Sequence, residues 1–148
     1  MKNIYFLFIS SLLVASCNTY SDGDKKTFET TIKTFLSKKG ERCLVSPSGL
    51  FYRIDSMGTG RSIQFQDSVE ISYTGRLLTG QIVDEQKNPI YFAVRDLIPA
   101  WKELLLDLRK GAQAYMVIPP HLGYGGNKLE KIPEHSILEF TMTVHEVK

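Results

Sequence analysis

Cysteine is scarce in this chain: Cys17 and Cys43 are the two among 148 residues, so at most one disulfide is available, and their positions argue against it. An excess of charge of one sign is missing as well. Lys and Arg number 18 against 16 Asp and Glu, a net of +2, and the cations are scattered rather than striped. That removes the basic footprint of a nucleic-acid binder, and no nucleic-acid partner is expected. Histidine is limited to His121, His135 and His145, which share no metal-ligand spacing with one another or with Cys43. No metal site is expected, and the three are read as surface residues. Gly123-Tyr124-Gly125-Gly126 lacks the Lys and following Ser or Thr of a phosphate loop, and there is no serine nucleophile elbow. No internal repeat is present.

What is there begins with an address. A Lys in the first three residues is followed by an almost unbroken apolar run over residues 4–15, the layout of a secretory signal. The run is too short for the ~30 Å hydrocarbon core, which takes about 20 residues, so a transmembrane anchor is the weaker reading. It ends in Leu13-Val14-Ala15-Ser16-Cys17, which resembles a bacterial lipobox. The resemblance implies cleavage before Cys17 and acylation of its thiol; an ordinary signal peptide is the alternative. Acyl chains contribute about 0.8 kcal/mol per buried methylene, so two or three anchor stably. Cys43 is then left as a small apolar residue or an idle thiol. Asn18, where an inner-membrane retention signal would carry Asp, leans towards the outer membrane. The expectation is a lipid-anchored protein of the bacterial cell envelope, at the outer membrane facing the periplasm, with the cell surface as the other possibility.

The expected organisation is a signal at 1–16, a tether with a short helix at 17–43, and a folded domain at 44–148. Residues 18–26 read as a flexible polar spacer. Phe28, Ile32, Phe35 and Leu36 recur at helical spacing, predicting an amphipathic helix over 27–37 that packs on its own domain or pairs with a second copy. The oligomeric state stays open on this point. Leu50, Tyr52 and Ile54 alternate with Phe51 and Arg53, as do Val69, Ile71 and Tyr73 with Glu70, Ser72 and Thr74, and Leu138, Phe140, Met142 and Val144 with Glu139, Thr141, Thr143 and His145. Each alternation predicts a strand, and 114–118 predicts another, stopped by Pro119-Pro120. Leu97, Trp101, Leu104, Leu105 and Leu108 make one helical stripe, with Pro99 in its first turn and Gly111 beyond its end. Many strands around one central helix give an α+β fold, with a curved antiparallel sheet wrapped over a short helix.

Four blocks of this sequence resemble the FKBP family of prolyl isomerases, in order and at the family's separations. They are 69–75 (VEISYTG) with 80–84 (GQIVD), 89–92 (PIYF) leading into 97–101 (LIPAW), 118–125 (IPPHLGYG), and 132–140 (IPEHSILEF). The resemblance spans about 105 residues and implies a pocket for a proline ring. Trp101 would form its floor, Tyr73 and Asp84 a polar pair on its wall, and Tyr124 a hydroxyl donor to a peptide carbonyl; these four carry the catalytic assignment. Val83, Ile90, Leu97, Ile98, Ile132 and Phe140 match the family's substrate-binding positions. The implied partners are proline-containing polypeptides, and no cofactor is implied. Read without the family, Trp101 and Tyr73 are ordinary core residues. The family usually has Phe where Val83 stands, an aromatic at Ile90 and an apolar residue at Lys131, all of which change the wall or rim. Two functions follow: an isomerase assisting folding of exported proteins, or a noncatalytic chaperone or assembly module on the same fold.

Overall fold

A sheet with both faces covered organises residues 20–148, the part of the chain that the computed structural model describes. The signal segment and Cys17 lie outside the described residues. Strands β1 (Leu44–Val45), β2 (Phe51–Ser56), β3 (Ser68–Leu77), β4 (Ile82–Ala93), β5 (Gln113–Ile118) and β6 (Leu138–Val147) run antiparallel in the order β1-β2-β5-β6-β3-β4. Helix α2 (Pro99–Leu105) lies on the inner face and α1 (Asp22–Lys39) on the outer one. The α+β reading holds, a sheet over a short helix, with a second helix behind it.

The period of two decides which side chain goes where. Ala114, Met116 and Ile118 of β5 join Val69, Ile71, Leu138, Phe140 and Val144 and pack against Trp101, Leu104 and Leu105. Tyr115 and Val117 point the other way, to Phe51 and to Ile32 and Leu36 of α1. This explains why 114–118 is apolar without alternation, since both of its faces are buried. Burying Ile32 and Leu36 stabilises the docked helix by roughly 1.5–3 kcal/mol each.

Helix α1 is longer than the apolar spacing predicts. Residues read as spacer are helical because Ser21 closes a capping box: the Asp24 N–H donates to its hydroxyl at 3.1 Å, and its own N–H donates to the Asp24 carboxylate at 2.9 Å. The helix stops at Gly40, whose φ of 71° supplies the left-handed turn. Its last residues meet the sheet at a polar seam. Glu139 is 3% exposed and accepts from the Tyr115 hydroxyl at 2.7 Å and from the Lys39 ammonium. Burial, and then the Glu139 bond, pushes the Tyr115 hydroxyl well above the ordinary tyrosine range.

Helix α2 is shorter than its stripe. Ile98 is the N-cap and Pro99 the first helical residue, but the helix ends at Leu105. Leu108 stays in the core from a loop, where its carbonyl accepts the Ile63 N–H at 3.0 Å. The Arg109 N–H, which a continuing helix would aim at the Leu105 carbonyl, donates instead to the Met57 carbonyl at 3.2 Å, a tertiary bond at the end of a helix whose apolar spacing continues. Gly111, at φ 82°, turns the chain into β5 and is not the helix stop. Strand β4 was not predicted by alternation. It is an edge strand, which tolerates Pro89, and between the pairs Tyr73↔Gln86 and Ile71↔Ile90 it carries extra residues.

Gly75 of β3 pairs directly with Phe140 of β6. A Cβ there would stand 2.3 Å from Phe140 Cε1, so the missing side chain lets the ring lie across the strand. Gly75→Ala is expected to cost about 1–3 kcal/mol by overpacking, seen as a lower urea midpoint; an unchanged midpoint would show that the ring has room to move. Lys39→Met should cost about 2 kcal/mol, because it strips a partner from a buried carboxylate. The exposed Lys26→Ala should cost well under 1 kcal/mol in the same unfolding experiment, and equal effects would refute the seam's importance.

Candidate active site

Two neighbouring strands and the helix they cover bring three rings together. Tyr73 projects inward from β3, Phe140 from β6, and Trp101 rises from α2. The Trp101 ring stands 4.9 Å from Tyr73 at 89° and 5.3 Å from Phe140 at 88°, both edge to face. Phe92 of β4 adds a fourth ring, 6.1 Å from Tyr73. The rings surround a cavity of about 260 Å³ that is also lined by Asp84, Leu97, Ile98, Tyr124 and Asp96. Trp101 is 4% exposed and Phe140 1%, so the floor and back wall are parts of the core that the fold leaves open on one side.

Polar groups are few and specific. The Tyr73 hydroxyl donates to Asp84 at 3.1 and 3.2 Å to its two oxygens. Asp84 reaches it from β4, where it pairs with Gly75. Burial first, and then the Asp84 charge and hydrogen bond, pushes the Tyr73 hydroxyl far above the ordinary tyrosine range. Burial and then Asp84 raise Tyr124 as well. Both hydroxyls keep their protons; Tyr73 gives its own to Asp84, which leaves the Tyr124 hydroxyl to donate to a bound chain. Tyr124 follows a 3-10 turn over Pro120–Leu122, and the Gly125 N–H donates to the Pro120 carbonyl at 2.9 Å, curling the chain around it. The buried indole N–H of Trp101 has no hydrogen-bond partner among the described residues. Such a buried donor calls for a partner, and one can come with a bound chain.

Seven of the ten positions picked from the sequence for this site line the cavity: Tyr73, Asp84, Leu97, Ile98, Trp101, Tyr124 and Phe140. Three do not. Val83 and Ile132 are 7% and 4% exposed and back the wall from within the core. Ile90 is 43% exposed, because the extra residues of β4 carry it out at the sheet edge. Phe92 and Asp96 were missed. Phe92 lies in the 89–92 block that carries the resemblance, which was the signal for it, whereas the position of Asp96 depends on a 3-10 turn over Val94–Asp96 that has no sequence signature.

Elsewhere, among the described residues, no group of three His, Cys, Asp or Glu is arranged to hold a metal ion, and no helix is long and apolar enough to cross a membrane. Cys43 is half-buried against the outer cluster, and burial pushes its thiol up to about 11. His135 and His145 are exposed, as read, and His121 is half-buried; each has a partner, with His121 Nε2 2.9 Å from the Ser48 carbonyl, His135 Nδ1 2.7 Å from the Tyr20 hydroxyl, and His145 Nε2 2.7 Å from the Ser72 hydroxyl.

The chain is similar in sequence and fold to known proteins. The pattern of the family described as FKBP-type peptidyl-prolyl cis-trans isomerase matches residues 59–145. The chain is 35% identical over 122 residues to the isomerase FkpA of Buchnera aphidicola from Schizaphis graminum, covering 78% of this chain and 48% of that one. It is 37% identical over 113 residues to a probable FKBP-type isomerase of Haemophilus influenzae, covering 74% and 47%. The chain thus spans about half the length of these relatives. The crystal structure of FkpA from Escherichia coli superposes with a TM-score of 0.73 at 30% identity, over 85% of this chain and 62% of that one. Because the matched stretch encloses every residue that lines the cavity, from Tyr73 to Phe140, the chain belongs to the FKBP-type peptidyl-prolyl cis-trans isomerase family.

Proposed function

We propose that the chain is a peptidyl-prolyl cis–trans isomerase that assists the folding of exported polypeptides. The observation that carries this reading is the aromatic cavity itself, apolar apart from the Tyr73–Asp84 pair, the Tyr124 hydroxyl and Asp96 at its edge. Rotation about an X–Pro bond meets a barrier of ~18–20 kcal/mol that comes from amide resonance. The planar amide separates charge, which water stabilises and apolar walls do not. A proline ring seated on Trp101 leaves its amide bond among rings, where the twisted, less polar state is favoured over either planar isomer. The Tyr124 hydroxyl and the Ile98 N–H take carbonyl oxygens of the bound chain, and Asp84 fixes the Tyr73 ring in the wall. No covalent bond is made or broken.

The proposal extends to the N-terminus. Cys17 carries the lipid and holds residues 44–148, with α1 packed on them, at the envelope membrane, at the outer membrane facing the periplasm. The charged start, the apolar run and the lipobox-like ending support this. A second reading, a chaperone without catalysis, is favoured by the exposed Ile82, Ile90 and Tyr91 along β4, beside the cavity.

The full chain is expected to accelerate a proline-limited refolding reaction, with Trp101→Ala lowering kcat/KM roughly 100-fold by unseating the ring. A wild-type chain that leaves the rate untouched while still suppressing aggregation would replace the isomerase reading with the chaperone one. Intact mass of protein from the membrane fraction should show acyl chains on an N-terminal Cys17, and Cys17→Ser should move the protein to the soluble fraction. An unmodified Cys17 on the membrane-bound form would end the anchor.

A further inference from the structure

Tyr20, the residue just before the capping box of α1, makes contacts that the docking of α1 does not require. Its hydroxyl lies 2.7 Å from His135 Nδ1. Its ring meets Phe28 edge-on at 5.3 Å, His135 at 5.6 Å and 89°, and His121 at 6.3 Å. A Cβ on Gly125 would stand 3.8 Å from the same hydroxyl. All of these partners except Phe28 belong to the segment that carries Tyr124 into the cavity. Within it, the His135 N–H donates to the Gly125 carbonyl at 2.8 Å, and Gly125 adjoins Tyr124.

A second observation points to the same place. His135 has a φ of 57°, and among the described residues it is the one non-glycine with positive φ. A left-handed residue with a Cβ costs of order 1–3 kcal/mol and persists only where its surroundings hold it. What holds His135 is the Gly125 bond on its backbone and Tyr20 on its ring.

We propose that Tyr20 is a positioning residue for the peptide-binding pocket: it ties the chain entering α1, through His135 and Gly125, to the loop that presents Tyr124. The inference rests on the isomerase reading for its kinetic consequence but not for the tie. With Tyr20 in place the 123–135 loop is closed against the start of α1, and the Tyr124 hydroxyl is held where a substrate carbonyl arrives. Without it the loop keeps its turn at Pro120 but loses the support beneath His135. The Tyr20 hydroxyl stays protonated, since burial and then the nearby Asp24 raise it above the ordinary tyrosine range.

The test compares the full chain with its Tyr20→Ala and Tyr20→Phe variants, using Lys26→Ala as a control on the exposed side of α1. Amide hydrogen exchange at Gly125 and His135 should speed up in Tyr20→Ala and not in Lys26→Ala. KM for a short proline-containing peptide should rise roughly three- to tenfold with kcat nearly unchanged, as for the loss of one or two supporting contacts. Tyr20→Phe, which keeps the ring but not the hydroxyl, should fall between. Unchanged exchange at both amides, or a lower melting temperature with KM unmoved, would overturn the proposal and leave Tyr20 as packing for the helix. If the wild-type chain neither isomerises nor binds the peptide, the isomerase reading fails. The exchange rates then decide the tie alone, loosening in Tyr20→Ala supporting it and unaltered protection refuting it.

Discussion

Trp101 meets Tyr73 and Phe140 edge to face, and on this contact hang both the core and the cavity. Each such pair contributes about 0.5–1.5 kcal/mol beyond its buried area, so the rings that shape the site also fasten α2 to the sheet. Gly75 makes the arrangement possible on the sheet side by leaving Phe140 room to lie flat. Ile98 and Pro99 make it possible on the helix side by starting α2 where its first turn lifts the indole to the opening. The cavity is therefore not a cleft added to a finished fold. It is core that one side of the molecule leaves unfilled.

That origin sets the electrostatics. A site built from core has little water and few charges, so each polar group in it has a large effect. Asp84 is held by the Tyr73 hydroxyl, and the two tyrosines keep their protons because burial and the Asp84 charge oppose ionisation. The outcome is a carboxylate paired with the Tyr73 hydroxyl, the Tyr124 hydroxyl and an amide at a helix start, around walls that are otherwise hydrocarbon. A reaction needing only a twist of one bond is suited to that economy of parts.

Much of this was legible in the sequence. Alternation in 69–74 and 138–145 marked strands with one buried face, and the apolar run at 114–118 marked another strand, whose cover on both sides only the structure shows. The four blocks that resemble the family supplied most of the pocket, which no periodicity could have done, since Trp101 and Tyr73 read as core and are core. The failures have physical causes. Ser21-Asp22-Gly23-Asp24 looks like loop by composition, yet Ser21 and Asp24 form a capping box that starts α1 early. The stripe ending in Leu108 outruns its helix because the Arg109 N–H goes to the Met57 carbonyl and not back to Leu105. Ile90 was placed by the register of the family blocks, and the extra residues of β4 carry it out of the pocket.

The irregularity of β4 has a consequence beyond the pocket. An outermost strand with a full row of free amides and carbonyls is a template on which another chain can grow a sheet. Here one border of the sheet is a strand of two residues, Leu44–Val45, and the other carries a proline and a broken register. A molecule whose proposed occupation is to meet unfolded polypeptides handles aggregation-prone chains at close quarters. By offering them rings in a hollow and withholding a straight length of backbone, it can engage a client without becoming the seed of a deposit.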